Sequence, residues 1–393
     1  MSDSKSHHNR VASHIADLPR SGIRDFFELV NTMDDVISLG IGEPDFVTPW
    51  GIREATIYAL EKGHTSYTSN LGLLSLRQSC CEYVAANFGQ SYDPASECII
   101  TVGVSEGLDL ALRALLNPGD EVIYHEPCYV SYAPTIRMTH AVPVPVVTTA
   151  EDGFSLDAAD VDAAVTDKTK VLVLNYPNNP TGGGLSYEQK KALVHVALKH
   201  DLIVVTDEIY SELTYGDRSQ SIAAFPGMKE RTIFLHGFSK AYAMTGFRIG
   251  YACGPSELIE AMMKIHQYSM LCASIVAQEA ALEALRSAEK QVYKMRSEYE
   301  QRRNVIVKRL NDMGLTCNMP EGAFYVFPSI ADTGLTSNEF ATQLLESKNV
   351  AVVPGTAFGA CGEGHVRCSY AASMQDIETA MKRIKEFINE SAK

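Results

Sequence analysis

The sequence predicts an α/β fold in which a mostly parallel sheet is sandwiched by helices and joined to a smaller α+β unit. Three observations predict it. Short apolar runs at 98–102, 121–124, 170–175, 202–206 and 232–236 have the length and composition of strands buried on both faces. Helical patterns separate these runs, the alternation that builds parallel sheets through crossover connections. The chain has 393 residues, and at roughly 100–200 residues per domain this means two domains, or one large domain with a satellite.

Taken in order, the first helical signal is Leu108, Leu112 and Leu115, closed by Asn117, Pro118 and Gly119. Ser186 and Gln189 form a capping-box pattern ahead of another helix, because each side chain can satisfy the other residue's free backbone N–H. Residues 274–313 are strongly helical and contain no proline, so a single long connecting helix is expected there. Beyond it, 324–328, 350–354 and 366–370 read as strands, and Ile377, Ala380, Met381, Ile384, Phe387 and Ile388 mark one face of a terminal helix. The expected organisation is an N-terminal arm that completes part of the small domain (1–49), a large domain (50–282) and a small C-terminal domain (283–393). No repeat or low-complexity tract interrupts it.

Composition narrows the partners. Apolar residues are 46% and charged residues 21% of the chain, ordinary for a packed soluble protein. A net charge of −14 with no Lys/Arg-rich run argues against a nucleic-acid or anionic-membrane surface and leaves small molecules as the expected ligands. No apolar stretch reaches the ~18–20 residues of a membrane span, and the polar N-terminus lacks the apolar core of a signal peptide, so a cytoplasmic location is expected. The nine cysteines (80, 81, 98, 128, 253, 272, 317, 361, 368) contain no CxxC pair and read as reduced packing residues. No metal site is expected; His7 and His8 read as part of a mobile tail.

In open α/β sheets, ligands bind beyond the carboxyl ends of the strands. Here 202–206 runs into Asp207, Glu208, Ile209 and Tyr210; 170–174 runs into Asn175 and the Asn178-Asn179-Pro180-Thr181-Gly182 turn; 232–236 runs into Gly237, Phe238, Ser239 and Lys240. A carboxylate, an amide and a lysine therefore converge. A buried Asp207 needs a cation: either Lys240, in a merely structural ion pair, or a protonated nitrogen on a ligand. The loop at 103–107 joins a strand to a helix start, where backbone N–H groups point outward as they would to cradle a phosphate, although it is neither a Walker loop nor GxGxxG. The Gly182-Gly183-Gly184 run reads as a flexible turn.

The segment from Gly237 through Lys240 and Arg248 to Gly250 resembles, position by position, the lysine signature of class I/II pyridoxal-phosphate-dependent aminotransferases. The resemblance extends, in the family's order, to Gly40-Ile41-Gly42-Glu43-Pro44-Asp45-Phe46, Asn178 to Gly182, Asp207 to Tyr210, Gly322-Ala323-Phe324-Tyr325 and Val366-Arg367, nearly the whole chain. It implies the fold type I transferase architecture, with a seven-stranded, mostly parallel sheet, and pyridoxal 5′-phosphate as cofactor. It also implies that Lys240 forms the Schiff base with the cofactor and acts as general base, since a buried amine is weakly basic and nucleophilic. Asp207 would face the pyridine nitrogen and keep it protonated. Asn179 and Tyr210 would bond the phenolic oxygen. Val104, Ser105 and Arg248 would hold the phosphate, and Tyr129 would stack on the ring where relatives often carry tryptophan. Tyr67 matches a residue that reaches the phosphate of a neighbouring subunit, which implies a homodimer with shared sites. Arg367, with Gly42 and Asn179 beside it, would grip the substrate α-carboxylate through paired hydrogen bonds. One departure is Gly237, where many relatives place a phosphate-binding serine.

The implied activity is transfer of an amino group from an L-amino acid to a 2-oxo acid, with 2-oxoglutarate as one partner, in two half-reactions (ping-pong). Similarity leans toward the aspartate, aromatic and N-acetyl-diaminopimelate aminotransferases, with 265–268 and 327–330 resembling the last. The alternatives are a carbon–sulfur β-lyase of the same fold, and a non-enzymatic ligand sensor. A sensor would need an added DNA-binding module of ~60 residues, whereas fewer than 40 residues precede Gly40.

Overall fold

The computed structural model describes residues 11–18, 35–216 and 220–391. His7 and His8 lie outside the described residues. The strands, in chain order, are β1 (Ile37–Ser38), β2 (Cys98–Thr101), β3 (Glu121–Glu126), β4 (Val142–Val147), β5 (Thr169–Asn175), β6 (Ile203–Asp207), β7 (Thr232–Gly237), β8 (Gly250–Cys253), β9 (Tyr325–Val326), β10 (Val350–Ala351), β11 (Val353–Pro354) and β12 (Val366–Ser369). Seven of them form the central sheet in the order β2-β8-β7-β6-β5-β3-β4. The five strands from β4 to β7 run parallel, and β8 lies antiparallel between β7 and β2. The expected fold class is thus the one observed.

Alternation along the strands shows why both faces are covered. Ile99, Ile233, Leu235 and Ala252 pack to one side, under helices Gly103–Leu115 and Ser256–Ser269, whereas Ile100, Phe234 and Tyr251 pack to the other. Successive side chains of a strand point to opposite faces, and burying each such Leu or Ile contributes about 1.5–3 kcal/mol. Two strands escape the reading of apolar runs. β4, Val-Pro-Val-Pro-Val-Val, carries two prolines that remove ladder donors, and it is tolerated because it lies on the sheet edge with half-exposed residues. β8 is short and begins with a glycine.

The expected capping box at Ser186 and Gln189 is present, and a second, Thr336 with Glu339, opens helix Ser337–Lys348. The expected single helix over 274–313 is instead two, Ile275–Ser287 and Glu289–Asp312, divided at Ala288, whose φ of −97° and ψ of 7° leave helical geometry. Because the break involves neither Gly nor Pro, periodicity alone does not reveal it. Likewise 350–354 is divided between two sheets: β10 pairs in parallel with β1, Ile37 opposite Val350, while β11 joins β12 and β9. The N-terminal segment therefore threads into the C-terminal part of the fold, and this passage brings Gly40 and Gly42 over the central sheet.

Candidate active site

Each polar residue singled out at a strand end is delivered by the parallel register. Asn175 ends β5, Asp207 ends β6 and lies directly opposite Asn175, and Gly237 ends β7 three residues before Lys240. The Asn175 amide donates to the Asp207 carbonyl at 2.9 Å and its oxygen accepts from the Asn179 N–H at 3.4 Å, tying two strand ends and the following turn together.

Asp207 is buried. Its Oδ2 accepts from the Tyr132 hydroxyl at 2.9 Å and its Oδ1 from the Ile209 N–H at 3.1 Å. Burial nonetheless raises the carboxyl to about 6, against the help of those two donors. Lys240 does not pair with it: Nζ donates to the Gly42 carbonyl at 2.5 Å and sits 5.8 Å from the ring centres of Tyr210 and Phe324. The purely structural ion pair is therefore absent. Burial, reinforced by the nearby Arg367 charge, lowers the lysine to about 8, so a substantial neutral fraction exists near neutral pH.

Arg367 lies on β12, buried in its apolar strand. Its Nη1 donates to Asn179 Oδ1 at 2.9 Å and its Nη2 to the Gly40 carbonyl at 2.6 Å. The guanidinium lies over Tyr325 at 4.5 Å and Phe358 at 4.8 Å, and its Nε is buried without a partner. The guanidinium's acceptors are thus neutral oxygens, and no carboxylate of the described residues pairs with its charge. Tyr210 and Tyr325 share a hydroxyl–hydroxyl hydrogen bond of 3.0 Å, both held well protonated or raised by burial.

Val104 and Ser105 lie in the first turn of helix Gly103–Leu115, whose leading N–H groups have no intrahelical acceptors. Gly103 has φ of +76°, and a Cβ there would stand 2.8 Å from Arg248 Nη2, so the arginine crosses the loop at a distance only glycine permits. Arg248 itself adopts φ of 51°. Gly237 is closely packed: a Cβ would meet Gly250 Cα and Val104 Cγ2 at 3.1 Å each, where β7 and β8 pair Gly237 with Gly250. Tyr129 stands edge-on to Tyr132, ring centres 5.8 Å apart. Tyr67 is not gathered in: it is 82% exposed on the surface of the single chain.

The run Gly182-Gly183-Gly184, expected as a flexible turn, is a buried close approach. A Cβ on Gly182 would stand 2.5 Å from Pro320 Cβ, and one on Gly184 would stand 2.4 Å from Glu321 Oε2. Two further residues stand at the site, Tyr132 and Tyr325. Tyr132 opens the helix Tyr132–Met138, three residues beyond Tyr129, and no local signal in the sequence assigns its hydroxyl to Asp207; Tyr325 closes the Gly322-to-Tyr325 motif.

The arrangement offers a weakly basic amine, a buried anion, an anion-binding guanidinium and a separate cradle of helix N–H groups with an arginine. Comparison with known proteins gives this arrangement a class. Residues 34–384 match the family model for aminotransferase class I and II, and the chain belongs to that family. It is 52% identical to a putative aminotransferase, YugH, of Bacillus subtilis over 97% of this chain and 99% of the relative. It is 45% identical to an aspartate aminotransferase of Pyrococcus abyssi, covering 94% and 96% of the two chains. The solved aromatic aminotransferase of Pyrococcus horikoshii superposes with a TM-score of 0.89 at 45% identity, over 94% of this chain and 99% of that one. The protein is an enzyme that transfers amino groups, of the fold type I, pyridoxal-phosphate-dependent family.

Proposed function

We propose that the protein binds pyridoxal 5′-phosphate at this site and moves an amino group from an L-amino acid to a 2-oxo acid, with 2-oxoglutarate as one partner, in two half-reactions that share the site by turns. The observation that carries the reading is the division of labour between two cations. Lys240 and Arg367 both reach the backbone of one short segment, at Gly42 and Gly40, and neither is neutralised by a carboxylate: the amine donates to one carbonyl and the guanidinium to a carbonyl and the Asn179 amide oxygen. The residues present fit the cofactor. Asp207 is an anion that burial pushes toward protonation and that a cationic ring nitrogen would hold ionised. Val104, Ser105 and Arg248 surround a loop that glycine alone leaves open.

When bound, the cofactor supplies an electron-withdrawing ring that acidifies the substrate Cα–H. Arg367 binds the substrate carboxylate through its planar fork, and Asn179, holding Nη1, fixes the plane of that fork. Lys240 Nζ, about half neutral at pH 8 and about a tenth at pH 7, takes the Cα proton and holds it as ammonium until it is returned. Tyr132 keeps Asp207 turned and ionised, Tyr129 supplies the ring face, and Tyr210 donates its hydroxyl within a pair with Tyr325. Tyr67 serves the site of a second copy in a homodimer. The division at residues 49–50 and 282–283 separates the arm, the large cofactor-binding domain and the small domain. Nine free cysteines support a reducing, cytoplasmic setting.

The test is incubation of the purified enzyme with 2-oxoglutarate and, in turn, aspartate, tyrosine, alanine and N-acetyl-diaminopimelate, and separately with an S-substituted cysteine. Glutamate formation is expected with at least one donor; pyruvate, ammonia and the free thiol from the S-substituted cysteine, without glutamate from any donor, would establish the β-lyase instead, and no turnover in either assay would leave a sensor. Lys240→Ala should abolish turnover, and a variant as active as the parent would overturn the role given to the amine.

A further inference from the structure

Among the described residues, one cluster of potential metal ligands stands away from the site. Cys81, on helix Leu74–Phe88, and Cys98 and Cys253, opposite each other on β2 and β8, place three sulfur atoms within 4.8 Å of one another. All three are buried, Cys98 and Cys253 completely and Cys81 at 5% exposure. One disulfide can span only two of them, whereas three convergent sulfurs are a metal's donor set. With metal–sulfur bonds of about 2.3 Å, three sulfurs round one ion stand ~3.8–4.0 Å apart, so each needs to move by well under an ångström.

Charge selects the ion. Arg77 lies one helical turn before Cys81, and its guanidinium is buried, donating to the carbonyls of Gly72, Pro94 and Ala95. Three thiolates round a divalent cation leave one negative charge in the apolar layer, which this fixed cation balances; a monovalent ion would leave two. We propose that Cys81, Cys98 and Cys253 form a three-sulfur binding site for one divalent thiophilic ion of the zinc–cadmium class. Binding forms three metal–sulfur bonds and releases the protons that the thiols hold, two from Cys98 and Cys253 and a third where Cys81 is still a thiol, with no change of oxidation state. The position gives the site a consequence. β2 runs through Thr101 into the loop at 102–105, and β8 begins two residues after Arg248, so an ion would fasten together the strands that carry both halves of the proposed phosphate cradle.

The probe is Cd²⁺, titrated into reduced holoenzyme bearing Cys272→Ser and Cys361→Ser, which removes the two half-buried thiols. One ion per chain is expected, with a thiolate-to-cadmium band in the ultraviolet, release of two to three protons per ion, and a raised Tm. Zn²⁺ should compete the band away. Cys98→Ala and Cys253→Ala should each weaken binding at least 100-fold, while Cys317→Ala leaves it unchanged. Fewer than two protons released, or a band that survives either strand substitution, would overturn the proposal. The proton count needs only the parent, so it decides the matter even where a strand variant fails to fold.

Discussion

Asp207 and Tyr132 show what a single hydrogen bond does when water is excluded. The carboxyl stands at about 6 against an ordinary 3.8, because burial outweighs two donors. In the cofactor-free protein, the native state therefore holds a proton between about pH 4 and 6 that the unfolded chain has already released. Its contribution to stability is greatest below pH 4 and is lost as the pH rises through 6, by at most about 3 kcal/mol. Urea unfolding of the apoprotein and of Asp207→Asn at pH 4, 5, 6 and 7 should show that slope in the parent and its absence in the variant. Tyr132→Phe removes a donor to the ionised form, so the carboxyl should rise further. Cofactor affinity should weaken by roughly 10–100-fold, the cost of about 1.5–3 kcal/mol for a hydrogen bond to a charged group. Equilibrium dialysis measures it, and an unchanged affinity would remove Tyr132 from the site.

At the scale of elements, the site is built where strand ends meet close backbone approaches. Gly103→Ala forces φ of +76° on a Cβ-bearing residue and sets that Cβ 2.8 Å from Arg248 Nη2. The arginine must swing away or the loop must open, so cofactor affinity should fall by an order of magnitude or more, with about 1–2 kcal/mol of stability lost. Fluorescence titration and thermal melting separate the two effects. The parallel strands and their polar ends were legible because apolar runs and the residues that follow them are local signals. Lys240, Asp207, Asn179 and Arg367 were legible through motifs. Tyr325 was not, since its partner Tyr210 is 115 residues away and only the packing of β9 over the sheet brings them together. The same holds for Gly182 to Gly184, whose glycines answer to Pro320 and Glu321 rather than to any local turn, and for β4, whose prolines are tolerable only once its edge position is known.

At the scale of the whole molecule, several large apolar side chains among the described residues are exposed on the single chain. Val47, Trp50, Tyr67, Leu74, Tyr268 and Met270 are each about half exposed or more. The segments carrying them are tied together: Asn70 donates to the Leu271 carbonyl at 2.7 Å, and Gln278 bonds both Leu73 and Thr68. The homodimer proposed above would cover side chains of this kind, and in that proposal Tyr67 of each chain serves the other's cradle. Complementation tests the arrangement directly. Tyr67→Phe should weaken the cofactor by roughly 10–100-fold through loss of a charge-assisted bond, and Lys240→Ala should be inactive. Mixed and allowed to exchange subunits, the two variants form hybrids in which one site has Lys240 from the first chain and Tyr67 from the second, both native. At cofactor concentrations too low for the Tyr67→Phe homodimer, activity should therefore appear on mixing and reach about a quarter of the parent's, because half of the dimers are hybrids and each has one native site. If the tyrosine served its own chain, every hybrid site would lack either the amine or the hydroxyl, and mixing would recover nothing.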